Sequence, residues 1–203
     1  MDNTKRVRKE NAARAPRGRP RSAAVDEAIL EAALAEMAEQ GYARMSVDAV
    51  ASRAGVSKPT LYLRHPSKAA LATAAVASLR SSPRPEATGD TRADLVALLR
   101  LFRSGVERPY GIAMIGTVLA EEAHTPELMR LFRERLVEPR RRELREILTR
   151  ARDRGELRTD ADVDGAVALL VGAYYAQYLA GDPFPRDWPE PQVDIVLAGL
   201  AVR

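Results

Sequence analysis

The sequence predicts an all-α fold, with a small N-terminal three-helix unit joined to a larger C-terminal helical domain. Three observations carry that expectation. Ala, Leu, Glu and Arg dominate nearly every segment, and these residues give up little freedom in a helix. Alternating β-branched runs, the mark of a half-buried strand, are missing. Apolar positions recur at helical spacing, and stretches rich in Pro, Gly and Ser separate them.

The elements follow in order. Residues from about 23 to 40 put Val25, Ile29, Ala33 and Met37 on one stripe, and Gly41 supplies a stop. Ser46 can cap a short second helix from Val47 to about Arg53, with Asp48 complementing the dipole of its first turn. Ser57 can cap a third helix reaching about Arg64, and a fourth runs from the Pro66-Ser67 break to about Leu79. Residues 81–90 (SSPRPEATGD) read as a surface joint. Helices are then expected near 91–105, 109–122 and 126–154, the last bent or broken at Pro139. A further helix covers about 161–180, the four prolines of 181–191 impose a loop, and a final helix occupies about 192–201.

Composition narrows the function classes. The 203 residues contain no cysteine, which excludes disulfides, a thiolate nucleophile and Cys-based metal sites. Two histidines, His65 and His124, leave little room for Ser–His catalysis or a His-rich metal site. No cofactor and no metal are expected. The charge-free run 165–181 is 17 residues long, short of the about 20 that a spanning helix needs. Its Gln177, its three tyrosines and the flanking Asp164 and Asp182 point to a helix buried among other helices, so no membrane role and a cytoplasmic location are expected.

The formal charge of +4 hides an asymmetry. Residues 1–21 hold eight Lys/Arg against two acids, a net +6, so the other 182 sum to −2. Such arms usually meet polyanions, nucleic acid foremost. Arg17, Arg19 and Arg21, alternating with Gly and Pro, keep the chain thin and extended, a shape suited to a narrow A·T-rich minor groove. A solubilising tail is the plainer reading of the same residues.

Two short helices joined by a Gly-containing turn are the elements of a helix-turn-helix. Within 46–71 (SVDAVASRAGVSKPTLYLRHPSKAAL), Val47, Val50, Ala51, Val56 and Leu61 can form a small core. That leaves Lys58, Pro59, Tyr62 and Leu63 pointing outward, and exposed Pro, Tyr and Leu suit a surface that contacts thymine methyls, sugars and phosphates. An ordinary helical hairpin would share this spacing.

The span resembles the DNA-binding domain of the TetR family of bacterial transcriptional regulators. The likeness lies in the helix before the motif, Ala54-Gly55-Val56-Ser57, Thr60-Leu61-Tyr62 and Pro66-Ser67-Lys68. It is specific over about 25–79. The second half is similar to a recurrent TetR-type ligand domain in Glu138-Pro139-Arg140-Arg141, Arg154-Gly155-Glu156-Leu157-Arg158 and Leu197-Ala198-Gly199-Leu200. The resemblance implies that Ser46 donates to a phosphate and that Lys58 and Pro59 read bases. It gives Thr60 and Tyr62 phosphate and sugar contacts, makes Leu63 a variable base-facing position and has Lys68 grip the backbone. Ser57 belongs to the same surface as the cap of the third helix. His65 departs from the aromatic residue common there and is read as a flat packing ring near a phosphate.

The division implied is an arm (1–21), a DNA-binding domain (22–80) and a ligand-binding and dimerisation domain (81–203). The last would enclose a pocket for a small apolar or aromatic effector, with Phe102, Tyr110, Met114, Ile115, Leu119, Phe132, Tyr174 and Tyr178 as candidate walls. Plain core packing accounts for the same residues. The last two helices would pair two copies through Leu169, Gly172, Ala173, Ala176, Val193, Val196, Leu197 and Leu200. The implied function is a homodimeric, ligand-responsive repressor, not an enzyme, that binds a palindromic double-stranded operator. From the residues alone, a nonspecific architectural DNA-binding protein and a helical enzyme with an incidental helix-turn-helix also stay open.

Overall fold

The computed structural model describes residues 23–79 and 84–202. The arm, with Arg17, Arg19 and Arg21, lies outside them, as do residues 80–83 of the expected joint. The described residues are helical with no strand; a single bridge joins Leu157 to Ala201.

Helix α1 (Ala23–Arg44) buries Ile29, Ala33 and Met37 as the stripe requires. Gly41 breaks its geometry at φ 74° and ψ 164°, so the regular helix stops where expected and a separate turn carries the chain on to Arg44. Serine caps open the next three helices, each side chain accepting a backbone N–H three residues on. These are α2 (Val47–Arg53), α3 (Lys58–Arg64) and α4 (Lys68–Ser78). Ile29, Met37, Val50, Leu61, Leu71 and Val76 are at most 1% exposed and form the core shared by α1, α2, α3 and α4. Burying a Leu or Ile side chain is worth roughly 1.5–3 kcal/mol, so packing, more than intrinsic propensity, holds the seven-residue helices α2 and α3.

Residues 84–90 form the described part of the joint, and Asp94 holds its end. The Asp94 carboxylate accepts hydrogen bonds from Thr88 N and Oγ1 (both 2.8 Å) and Gly89 N (3.2 Å). The chain continues through α5 (Thr91–Val106), α6 (Gly111–Ala120) and α7 (Pro126–Phe132). The single bent helix expected over 126–154 is interrupted by a π-helical turn at Arg133–Val137, before α8 (Glu138–Asp153). The π-turn precedes Pro139, the second residue of α8, which has no N–H to give to the turn before it. Helix α9 (Val163–Ala180) follows, and α10 (Pro189–Leu200) begins three residues earlier than expected.

Helices α5, α8, α9 and α10 pack as a bundle, while α6 lies on α1 and α7 on α4. The first four helices therefore rest directly on the second half. At the closest approach Gly105 of α5 faces the Leu79 carbonyl: a Cβ at Gly105 would stand 2.9 Å from that oxygen and 3.0 Å from an Arg140 guanidinium nitrogen.

Candidate DNA-reading surface and effector cavity

Helix α3 anchors one face and presents the other. Leu61 is 1% exposed, whereas Tyr62 is 40% and Leu63 81% exposed. Lys58 and Pro59 also face outward, and Thr60 is half-buried. The outward set therefore matches the sequence expectation. Ser57 Oγ accepts from Thr60 N (3.3 Å) and shares a hydrogen bond with Thr60 Oγ1 (2.8 Å), which fixes the start of α3. Ser46 Oγ accepts from Ala49 N (3.2 Å), while Ser46 N donates to buried Glu36 (3.4 Å). An ion pair between Arg64 and Asp26 ties the far end of α3 to α1.

Two features of this surface escape sequence reading. Lys58 Nζ lies 2.8 and 3.0 Å from the two Asp48 carboxylate oxygens, so Asp48 does more than complement the dipole of α2. That contact raises the Lys58 ammonium pKa above its ordinary value. Lys68 sends its ammonium to the Ala43 carbonyl (2.9 Å) and over the Tyr42 ring (4.9 Å), where it fastens α4 to the end of α1. His65 ends α3, its backbone N–H bonded to Leu61 O (2.9 Å), in a half-buried position consistent with a packing ring. The Lys58–Asp48 and Lys68–Ala43 pairings each span ten or more residues, and the crossing of helices brings those partners together.

A cavity of about 40 Å³ sits where the end of α4 meets α5, α8 and α9. Its apolar walls are Leu79, Leu98, Leu101, Phe102, Leu144 and Val171, and Arg84, Arg140 and Glu143 complete it. The Arg140 guanidinium lies 5.4 Å from the Phe102 ring centroid. Charged side chains thus share the lining with apolar ones.

Of the eight expected wall residues, Phe102 lines this cavity. Met114, Ile115 and Phe132 are buried elsewhere in the core, and Leu119 and Tyr178 are exposed. Tyr110, exposed and left-handed at φ 67°, opens α6 beside a separate groove against α1. Tyr174 is packed, with its ring centroid 4.6 Å from Phe184, 5.6 Å from Trp188 and 5.4 Å from Phe102. Phe184 and Trp188 come from the proline-rich loop, and Trp188 is 1% exposed, so the loop plugs the bundle. The placement of the only tryptophan in that loop is the sequence signal for this.

The residues expected to pair two copies divide between the surface and the core of the subunit. Leu169, Gly172 and Ala176 are exposed along one side of α9, Ala173 is half-buried beside them, and Leu179 extends the stripe at 82% exposure. On α10, however, Val193 and Val196 are buried in the subunit's own core, and Leu197 and Leu200 pack partly against it. Ile195, Ala198 and Gly199 face outward instead. The packing of α10 on α5 and α9 fixes this rotation, which periodicity alone leaves free.

No group of three or more His, Cys, Asp or Glu capable of holding a metal ion occurs among the described residues. Nor is any described helix long and apolar enough to cross a membrane.

Residues 29–75 match the family described as "Bacterial regulatory proteins, tetR family". Residues 85–196 match the "Tetracyclin repressor-like, C-terminal domain". The chain is 34% identical over 177 residues to the uncharacterized HTH-type transcriptional regulator Rv1556 of Mycobacterium tuberculosis (strain ATCC 25618 / H37Rv), covering 86% of this chain and 87% of that one. It is 34% identical over 148 residues to the DNA-binding transcriptional repressor TetR of Mycobacteroides abscessus, covering 72% and 75% respectively. Among solved structures it resembles the flavonoid-responsive regulator FrrA, with 26% identity, a TM-score of 0.68 and coverage of 90% of this chain and all of that one. An α3 that presents an anchored polar and aromatic face, the bundle behind it and matches over both halves have one reading: the chain belongs to the TetR family of bacterial transcriptional regulators.

Proposed function

We propose that the protein is a homodimeric repressor that binds a palindromic operator through α3 and releases it when a small molecule enters the bundle. The carrying observation is the exposed face of α3, with Tyr62 and Leu63 held outward by a buried Leu61. Lys58 and Pro59 would read base edges, while Ser46, Ser57, Thr60, Tyr62, Lys68 and His65 would set register on phosphates and sugars and Leu63 would meet the bases. One such helix reads few base pairs. A second copy, docked through the exposed stripes of α9 and α10, would set two α3 helices about 34–36 Å apart on one side of the duplex.

The effector reading rests on the position of the cavity. Its volume is that of one or two waters, so an effector must part the walls. Leu79, directly after α4, is one of them, and displacement there would reach the helix that follows α3. Only an effector with unequal affinity for the two conformations can release DNA.

The test is fluorescence anisotropy on the duplex upstream of the protein's own gene against an unrelated duplex of equal length. Specific binding is expected to exceed nonspecific binding by at least about 10³-fold at physiological salt. Equal affinity for duplexes covering that region and its neighbouring promoters would favour an architectural DNA-binding protein instead.

A further inference from the structure

The DNA-facing surface carries an acid at its centre. Asp48 projects from α2 with 69% of its side chain exposed, and its partner Lys58, at the first position of α3, is 51% exposed. An ion pair this open to water adds little to folding. A carboxylate beside Ser46 and Lys58 also repels phosphates, which lowers affinity for any duplex. Neither stability nor general DNA affinity therefore accounts for the pair.

Base-pair geometry does. The Lys58 ammonium and the Asp48 carboxylate set a donor and an acceptor 2.8 Å apart, and each has further hydrogen-bonding capacity facing outward. In the major groove, guanine O6 and cytosine N4 form a matching acceptor and donor, hydrogen-bonded to each other and so about 2.9 Å apart. We propose that Asp48 is a specificity-determining residue, presented with Lys58 as one unit that selects a G·C pair: Lys58 donates to guanine O6 and N7, and Asp48 accepts from the cytosine N4 amino group.

The remaining base pairs fit less well. C·G and A·T reverse the order of donor and acceptor, which sets the carboxylate against an acceptor and the ammonium against an amino group. T·A keeps the order but replaces guanine N7 with the thymine methyl, which offers an ammonium nothing. The carboxylate thus rejects wrong sites as well as reading the right one, the repulsive element that specificity often needs.

This inference rests on α3 being the DNA-reading helix. The experiment selects bound duplexes from a random library with wild type, Asp48→Asn and Lys58→Ala, each checked for native helicity by circular dichroism. Anisotropy on the selected and unrelated duplexes follows. Wild type is expected to enrich a G·C pair at one symmetric position of each half-site. Asp48→Asn should lose that preference and cut the ratio of specific to nonspecific binding by on the order of tenfold, in part by tightening nonspecific binding. If wild type discriminates and Asp48→Asn keeps both preference and ratio, this inference falls alone. If folded wild type selects no sequence, the DNA-reading assignment falls with it.

Discussion

Tyr62 and Lys58 share one face of α3, and the proposed DNA-reading role assigns them to different parts of a duplex. If Tyr62 contacts the backbone, Tyr62→Ala is expected to weaken binding to every duplex alike, whereas Lys58→Ala should also change which sequences bind best. Anisotropy on a matched pair of duplexes separates the two; binding unchanged in both variants would place the reading surface elsewhere. At the joint, burial pushes the Asp94 carboxyl pKa upward, but the hydrogen bonds from Thr88 and Gly89 outweigh it, and the pKa lies below the ordinary carboxylate value. The folded state therefore holds this proton less tightly than the unfolded chain. Its contribution is complete above the unfolded carboxylate pKa of about 4 and is lost as pH falls through the lower folded value. Asp94→Ala should cost about 1–3 kcal/mol at neutral pH, because the hydrogen bonds from Thr88 and Gly89 to a buried carboxylate are lost. Denaturant melts should show that difference shrinking as the solution is acidified; a constant gap would mean that the charge is not what holds the joint.

Among the elements, α1 shows how a local signal survives into the fold. Gly41 holds φ 74° and ψ 164°, a region essentially closed to residues with a Cβ, although the space beside it is open. Gly41→Ala is expected to destabilise through backbone strain by about 1–3 kcal/mol. The thermal midpoint should drop by roughly 2–4 °C per kcal/mol, with no loss of packing contacts. An unchanged midpoint would show that the turn relaxes freely. The break before α8 was less legible: Pro139 marked the right neighbourhood, but the π-helical turn at Arg133–Val137 lies just before it. Proline disturbs the turn that precedes it, so its position in the sequence trails the distortion it causes.

For the whole molecule, the exposed stripe of α9 is the feature that a single subunit leaves unexplained. Leu169 is 66% exposed and touches little within its own chain, so Leu169→Glu should leave the subunit folded and convert dimer to monomer in analytical ultracentrifugation. Affinity for a palindromic operator should collapse at the same time, since two half-sites are no longer read together. A dimer that survives the substitution would move the interface away from α9. Val193 is the contrasting position: fully buried against the subunit's own core, it would report on folding and not on pairing.

Local sequence suffices for the helical class, the caps at Ser46 and Ser57, the stop at Gly41 and the outward set on α3. Each depends on a residue and its neighbours within a turn or two, where spacing already decides which side a chain presents. What crosses between helices was left to the three-dimensional fold. It paired Asp48 with Lys58, drew Lys68 to the end of α1 and put Arg140 against Phe102. It also turned Val193 and Val196 inward and Ile195 outward. Those outcomes depend on the rotation of one helix about its axis relative to another. That angle is set by the packing of the whole core and is recorded in no single stretch of sequence.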